Sequence, residues 1–247
     1  FIPGASPLVD DLDTVKRLED AGAPAIVMHS LFEEQIRHEQ LGHERSVEMH
    51  EDAFAEALSY FPRPEEYRLG PDAYLDQIRK VKAAVKVPVI GSLNGTTPAG
   101  WLEYARLIEQ AGADALELNL YYLATGAWET GEQVERRTLD AVKAVKAAVK
   151  LPLAVKLSPY FSSFAHLARQ LDELGADALV MFNRFYQPDI DVEALEVVPR
   201  LPLENPPSLL LRLRWIAICY GHIKADIACS GGVRTALAGL KAVMAGA

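Results

Sequence analysis

Two cysteines, Cys219 and Cys229, are all the chain has in 247 residues, and they form neither a Cys-x-x-Cys pair nor a metal-binding spacing. That excludes a disulfide-stapled scaffold and fits a reducing compartment such as the cytoplasm. No stretch approaches the roughly 20 apolar residues needed to cross a bilayer. The nearest, Leu209 to Tyr220, is broken by Arg212 and Arg214, so no membrane partner is expected. Basic residues are the minority, 25 Lys and Arg against 34 Asp and Glu, for a net charge of −9. Nucleic-acid binders present a basic face, and this balance excludes them as partners.

Several motifs are also missing. There is no Gly-x-Gly-x-x-Gly after a strand and no Gly-x4-Gly-Lys-[Ser/Thr], which removes the main support for Rossmann and P-loop nucleotide sites. His38 and His43 lie 43 − 38 = 5 apart, whereas a helical zinc pair needs four. No metal site is expected. With only 16 Gly and 15 Pro in a half-hydrophobic chain, low-complexity and disordered classes drop out as well.

What the chain does have is a repeat. Glu109-Gln-Ala-Gly-Ala-Asp-Ala-Leu-Glu-Leu-Asn119 returns as Glu173-Leu-Gly-Ala-Asp-Ala-Leu-Val-Met-Phe-Asn183, with Gly112 and Gly175 separated by 175 − 112 = 63 residues. Val81-Lys-Ala-Ala-Val-Lys-Val-Pro-Val-Ile returns from Val145, after 145 − 81 = 64. Looser copies start at Asp20 and Met244. In the first phrase a helix ends at Gly, which tolerates a left-handed C-terminal turn, and a short buried strand follows. In the second, Pro88 or Pro152 stops the helix ahead of the strand.

Repeated helix–turn–strand units predict a parallel sheet wrapped by helices. Strands are expected near 25–29, 87–93, 115–119, 153–157, 178–183 and 226–230, with residues 1–4 as the end of another. Helices are expected near 14–21, 71–85, 99–111, 131–149, 163–174, 209–221 and 235–245. This is the pattern of an α/β (βα)8 TIM barrel, read as one domain over 1–247. Its eighth unit is expected beyond Ala247, and the start at Phe1 leaves room for a leader. Two stretches, about 30–70 and 183–207, are too long for plain βα loops. Both follow strand C-termini, where barrels place active sites and lids.

Three polar residues end apolar strands. Lys156 shares its strand face with the small Ala154, and a lysine among apolar neighbours needs an anionic partner. Asn119 shares a face with Glu117, and Asn183 closes Leu179-Val-Met-Phe182. One such residue would merely cap loop backbone; three in equivalent places point to a binding site. Ser230-Gly231-Gly232 then joins a strand to a helix, where backbone N–H groups and the helix start can hold a phosphate. Tyr121, Tyr122, Phe185 and Tyr186 could stack on a ring or pack under loops, and both readings stay open.

These residues, in order with Gly4-Ala5-Ser6, Ser92-Leu-Asn94 and Val155-Lys156-Leu-Ser-Pro159, resemble the dihydroorotate dehydrogenase family, especially a bacterial dihydroorotate dehydrogenase-like branch. The resemblance runs through essentially the whole chain. It implies an FMN-dependent barrel, a homodimer of the pyrimidine-synthesis type, that oxidises a carbon–carbon single bond by passing hydride to the flavin. It further implies that Lys156 contacts the flavin ring, Ala5 and Ser6 line it, and Ser230, Gly231 and Gly232 hold its phosphate. Asn119 would sit at the cofactor, Asn94 and Asn183 at the substrate, and His29 where the family carries a lysine.

One segment departs from the family pattern. After the strand-end Asn the family reads Asn-x-Ser-(Cys or Ser)-Pro-Asn, which supplies the catalytic base and a substrate-binding Asn. This chain reads Asn119-Leu-Tyr-Tyr-Leu-Ala124, placing Tyr122 at the base position. A phenol is a poor base at neutral pH, so dihydroorotate is expected to be a poor substrate. The alternative is a flavin- or phosphate-binding barrel without dihydroorotate turnover.

Overall fold

The computed structural model describes residues 1–32, 71–94, 98–120, 122–183, 187–193, 195–200 and 206–247. Most of the expected insertion at 30–70, with His38 and His43, lies outside the described residues, as do Tyr121, Phe185 and Tyr186.

Six strands form one parallel sheet: β1 (Ile26–Phe32), β2 (Val89–Asn94), β3 (Ala115–Asn119), β4 (Leu153–Leu157), β5 (Ala178–Met181) and β8 (Asp226–Cys229), in that spatial order. Between β5 and β8 the chain adds an antiparallel ribbon, β6 (Gln187–Asp191) with β7 (Glu196–Arg200). Among the described residues the helices are α1 (Leu12–Asp20), α2 (Pro71–Ala84), α3 (Pro98–Gln110), α4 (Gly131–Ala148), α5 (Phe164–Glu173), α6 (Pro206–Cys219) and α7 (Ala236–Ala245). Strands and helices alternate as βα units, an α/β fold of TIM-barrel type.

Two expectations need correction. Residues 1–4 are not a strand: the opening segment is irregular and runs into a 3-10 turn at Pro7–Asp10. Among the described residues the parallel sheet accordingly has six strands rather than seven. The ribbon was not foreseen either. Pro188 and Pro199 face each other across it, and proline in a two-stranded edge costs no central ladder bond.

The sheet has two unlike faces. In β4, Leu153, Val155 and Leu157 are fully buried against the helices, whereas Ala154 and Lys156 are half-buried on the inner face. Leu116 and Leu118 of β3 point the same way as Val155 and bury completely, and each such leucine contributes about 2 kcal/mol. Gly91 belongs to this outer face: a Cβ there would overlap the Ile108 side chain of α3.

The repeated phrases have one structural job. Asp114 Oδ2 accepts from the Val89 N–H at 2.7 Å and from Lys82 Nζ at 2.6 Å. Asp177 Oδ2 likewise accepts from the Leu153 N–H and from Lys146 Nζ, both at 2.8 Å. Each carboxylate thus ties the first N–H of one strand to the preceding helix and to the foot of the next strand. Gly112 and Gly175, at φ +93° and +88°, make the left-handed turn that brings each aspartate there. Burial disfavours the charged form of Asp177, but the Lys146 hydrogen bond, the Leu153 N–H and Lys146's charge outweigh it and hold the carboxyl below its usual range. Asp114 is lowered in the same way, with Lys82 and Val89 prevailing over burial.

Asp177→Ala is expected to cost about 1–2 kcal/mol, since it strands a strand N–H. Asp177→Asn keeps the acceptor and loses only a partly exposed ion pair, for about 0.5 kcal/mol. Because the folded carboxyl titrates lower than the unfolded one, its contribution is complete above about pH 4 and disappears as pH falls through the folded value. Denaturant titrations at pH 7 and pH 3 check both: the gap between wild type and Asp177→Asn should close on acidification.

Candidate active site

Register across the sheet lines up the inner-face residues in rows. One row reads Ser30, Ser92, Glu117, Ala154, Ala178, Asp226; the next, nearer the strand C-termini, reads Phe32, Asn94, Asn119, Lys156, Val180, Ala228. Asn94, Asn119 and Lys156 therefore stand side by side on adjacent strands, as the strand-end pattern implied.

The lower row explains how a lysine is tolerated there. Lys156 Nζ lies 3.3 Å from Glu117 Oε1, with the two side chains 11% and 8% exposed. Ser92 Oγ donates to the same Glu117 oxygen at 3.3 Å, and Ser30 Oγ lies 2.8 Å from Ser92 Oγ. A buried carboxylate with a cation and a hydroxyl on it fixes the ammonium from below. Above, Asn183 Nδ2 donates to Asn119 Oδ1 at 2.5 Å, both side chains being buried. The Asn183 N–H bonds the Leu157 carbonyl at 3.0 Å, which holds this residue over the end of β4. The carboxamide pair retains one amide N–H2 on Asn119 and one carbonyl on Asn183 for a ligand.

A bulge shapes the β1 side of the row. Val27 pairs with Ile90 but Ser30 pairs with Ser92, so β1 carries one extra residue at Met28–His29. The slip turns Ser30 inward. It also takes the Ser92 N–H and C=O off the β1 ladder, and the buried Tyr74 hydroxyl serves both, at 2.9 and 3.0 Å. Burial raises the Tyr74 pKa far above its usual range; the Ser92 hydrogen bond works against this and the Glu117 charge with it. Tyr74 is thus a neutral donor and acceptor. His29, at the bulge, has Nδ1 2.8 Å from Asp10 and its ring edge-on to Tyr74 at 5.1 Å. Ala5 and Ser6 precede the turn carrying Asp10, which Gln77 of α2 anchors by bonding the Val9 and Asp10 carbonyls at 2.9 and 3.1 Å.

Tyr122 stands apart from that row's contacts. Its hydroxyl donates to Glu129 Oε2 at 2.7 Å, and the Arg137 guanidinium lies 4.2 Å from its ring centroid. Arg137 also pairs with Glu129. The Tyr122 hydrogen bond, then Arg137's hydrogen bond and charge, hold the Glu129 carboxyl below its usual range against burial. The position expected to supply a base thus carries a phenol whose hydroxyl donates a hydrogen bond to a carboxylate.

At the other end of the sheet, Ser230 continues β8 and bonds back to β5, its N–H on the Met181 carbonyl at 2.7 Å. Gly231 and Gly232 follow at φ +84° and +77°. A Cβ on Gly232 would stand 3.1 Å from Leu209 Cβ and 3.2 Å from the Leu209 N at the start of α6, so only glycine lets this loop lie so close to the helix. The Lys156 row meets β8 at Ala228, two strands away, a distance of about 10 Å. Sequence reasoning treated Arg212 only as a break in an apolar run. It is in fact buried beneath this loop. The ionic row was half legible, since Glu117 and Lys156 alternate inward on their strands, but pairing them needs the register.

Among the described residues no helix is long and apolar enough to cross a membrane, and no group of three His, Cys, Asp or Glu could hold a metal.

The family profile described as dihydroorotate dehydrogenase matches residues 67–247. A candidate dihydroorotate dehydrogenase A (fumarate) from Aeropyrum pernix is 34% identical over 173 residues, covering 65% of this chain and 56% of that protein. The catalytic subunit of dihydroorotate dehydrogenase B (NAD(+)) from Methanocaldococcus jannaschii is 29% identical over 187 residues, covering 72% of this chain and 60% of its own length. The chain thus spans somewhat under two thirds of the curated relatives it matches. Among solved structures, a candidate dihydrodipicolinate synthetase from Pseudomonas aeruginosa superposes with a TM-score of 0.50 at 16% identity, over 96% of this chain and 62% of that one. That likeness speaks to the fold alone. The profile, by contrast, runs unbroken from ahead of α2 to Ala247 and takes in five of the six parallel strands. This chain belongs to the dihydroorotate dehydrogenase family, whose members are FMN-dependent flavoproteins.

Proposed function

We propose that this chain is the FMN-binding barrel domain of an oxidoreductase that acts on a CH–CH bond, in dihydroorotate or a closely related substrate. The observation that carries the reading is the ion-paired Lys156 set beside Asn119 and under Asn183 on the inner face of the sheet. The residues fit the cofactor: a glycine pair that a Cβ would crowd lies at one end, a fixed cation at the other.

FMN, when bound, supplies the hydride acceptor while the substrate's second hydrogen leaves as a proton. Lys156 presents a positive charge, oriented by Glu117, where negative charge develops; a preorganised charge in a water-poor site is worth more than in solution. Asn119 and Asn183, tied to each other, hold donor and acceptor groups in fixed directions, so binding orients the reacting carbon without ordering loose side chains. Asn94 extends the same row toward β1. Ala5, Ser6 and His29 flank it, and Ser230 to Gly232 take the phosphate. The chain is further proposed to work in the cytoplasm as a homodimer, on the strength of its two free thiols and the family resemblance respectively.

Tyr122 shapes the choice of substrate. With its hydroxyl donating to Glu129, Tyr122 puts a phenol where dihydroorotate oxidation calls for a base. Purified protein reconstituted with FMN should show flavin absorbance, and anaerobic dihydroorotate should bleach it slowly. Protein that takes up no FMN would overturn the cofactor assignment. Complete bleaching within milliseconds would overturn the role given to Tyr122.

A further inference from the structure

Arg212 sits in the second turn of α6, in a helix otherwise rich in leucine, and is 6% exposed. Its guanidinium spans three backbone carbonyls from three elements. Nε donates to the Ser230 carbonyl, Nη1 to the Ser208 carbonyl at 2.6 Å, and Nη2 approaches the Phe182 carbonyl at 3.5 Å. A single side chain thereby joins the loop after β8, the first turn of α6 and the end of β5. Burial raises the Cys229 thiol's pKa, and Arg212's charge offsets part of that shift, as expected for a cation lodged under this loop.

The consequence follows from peptide planarity. In a trans peptide the C=O of one residue and the N–H of the next point in opposite directions. Holding the Ser230 carbonyl down onto the guanidinium therefore turns the Gly231 N–H up, away from Arg212. Among the described residues neither the Gly231 nor the Gly232 N–H donates to a protein acceptor. Gly231 has no Cβ in the way; one would lie 3.0 Å from Arg212 Nη2. The loop is thus held with the Gly231 N–H turned away from Arg212 and the Gly232 N–H uncommitted before any ligand arrives.

We infer that Arg212 is a positioning residue for the phosphate end of the flavin site: by clamping the Ser230 carbonyl it fixes the Gly231–Gly232 backbone in the anion-binding orientation, and so confers preference for a flavin phosphate over the unphosphorylated flavin. The inference rests on the flavin reading of the site. It assigns Arg212 an action through the loop backbone, which depends on the planar three-point fork rather than on charge alone; a lysine has the charge and lacks the fork.

The test is fluorescence titration of the FMN-free protein with FMN and with riboflavin, in wild type, Arg212→Met and Arg212→Lys. Wild type should bind FMN about a hundredfold more tightly than riboflavin, as several donors to a dianion require. Both variants should lose about tenfold or more of that ratio, the loss of roughly one charge-assisted hydrogen bond's orientation, while riboflavin affinity changes little. Unchanged riboflavin affinity shows that the barrel is intact and separates a positioning role from a general loss of fold. A variant that keeps the wild-type ratio overturns the inference. Should Arg212→Met not fold, Arg212→Lys carries the test alone, and full retention of the preference in it has the same force. Wild type that binds neither flavin would instead overturn the flavin reading itself.

Discussion

Lys156→Met is expected to slow anaerobic flavin reduction by about 10²–10³-fold, the scale on which single preorganised charges act in such sites. Two effects push the same way. The substitution removes the cation proposed to face the developing negative charge, and it leaves the Glu117 carboxylate, 8% exposed and 3.3 Å from where the ammonium was, as an uncompensated anion in its place. Removing one member of a buried pair is costlier than removing both. Lys156→Met/Glu117→Gln should therefore recover part of the rate. Stopped-flow bleaching and the flavin midpoint potential both report the effect, with the potential expected to fall in the single variant. A single variant that reduces at the wild-type rate would remove Lys156 from the chemistry. A double variant slower than the single would show that Glu117 serves the site by some means other than its charge on Lys156.

The second large effect is on stability. Tyr74→Phe removes one oxygen atom, yet that oxygen serves both the Ser92 N–H and the Ser92 C=O where the bulge takes them off the ladder. Both groups are buried, and each unsatisfied backbone group costs about 1–3 kcal/mol. The variant is expected to lose roughly 2–4 kcal/mol and about 5–15 °C in Tm. Since burial keeps the phenol neutral across the working range, the loss should not vary between pH 6 and 9. Thermal unfolding at both ends of that range decides it. A loss below about 0.5 kcal/mol would mean that water can enter the bulge and replace the hydroxyl.

The contrast between these two residues shows what could be read from the sequence. Lys156 stood out because a charged residue among alternating apolar ones marks an inner-face position within a single strand. The repeat located the helices and strands for a similar reason: Ala-Gly-Ala-Asp and Lys-x-Pro are local signals, and their spacing recurs. Tyr74 gave no such signal. Its role comes from an extra residue in β1, 74 − 28 = 46 positions away, and a bulge leaves no mark in composition. The strand expected to end at His29 runs to Phe32, because the bulge at Met28–His29 restores the inward alternation from Ser30 onward. Arg212 marks a break in an apolar run, but the helix period alone does not reveal that three carbonyls converge on its side chain. Within the insertion at 183–207 the prolines hide the ribbon from Gln187 to Arg200, because proline is rare in strands except at edges such as this one.

The aspartate ties at the feet of β2 and β4 have a consequence for how this protein could diversify. They anchor each βα unit at the end opposite Lys156, Asn119 and the glycine pair, through bonds that involve none of those residues. The scaffold's rigidity and its choice of reaction thus draw on separate sets of side chains. The loop that carries Tyr122 can drift in sequence without loosening the framework that holds it. Evolution of new substrate preference in this lineage would then be limited by chemistry at the rim and hardly at all by foldability.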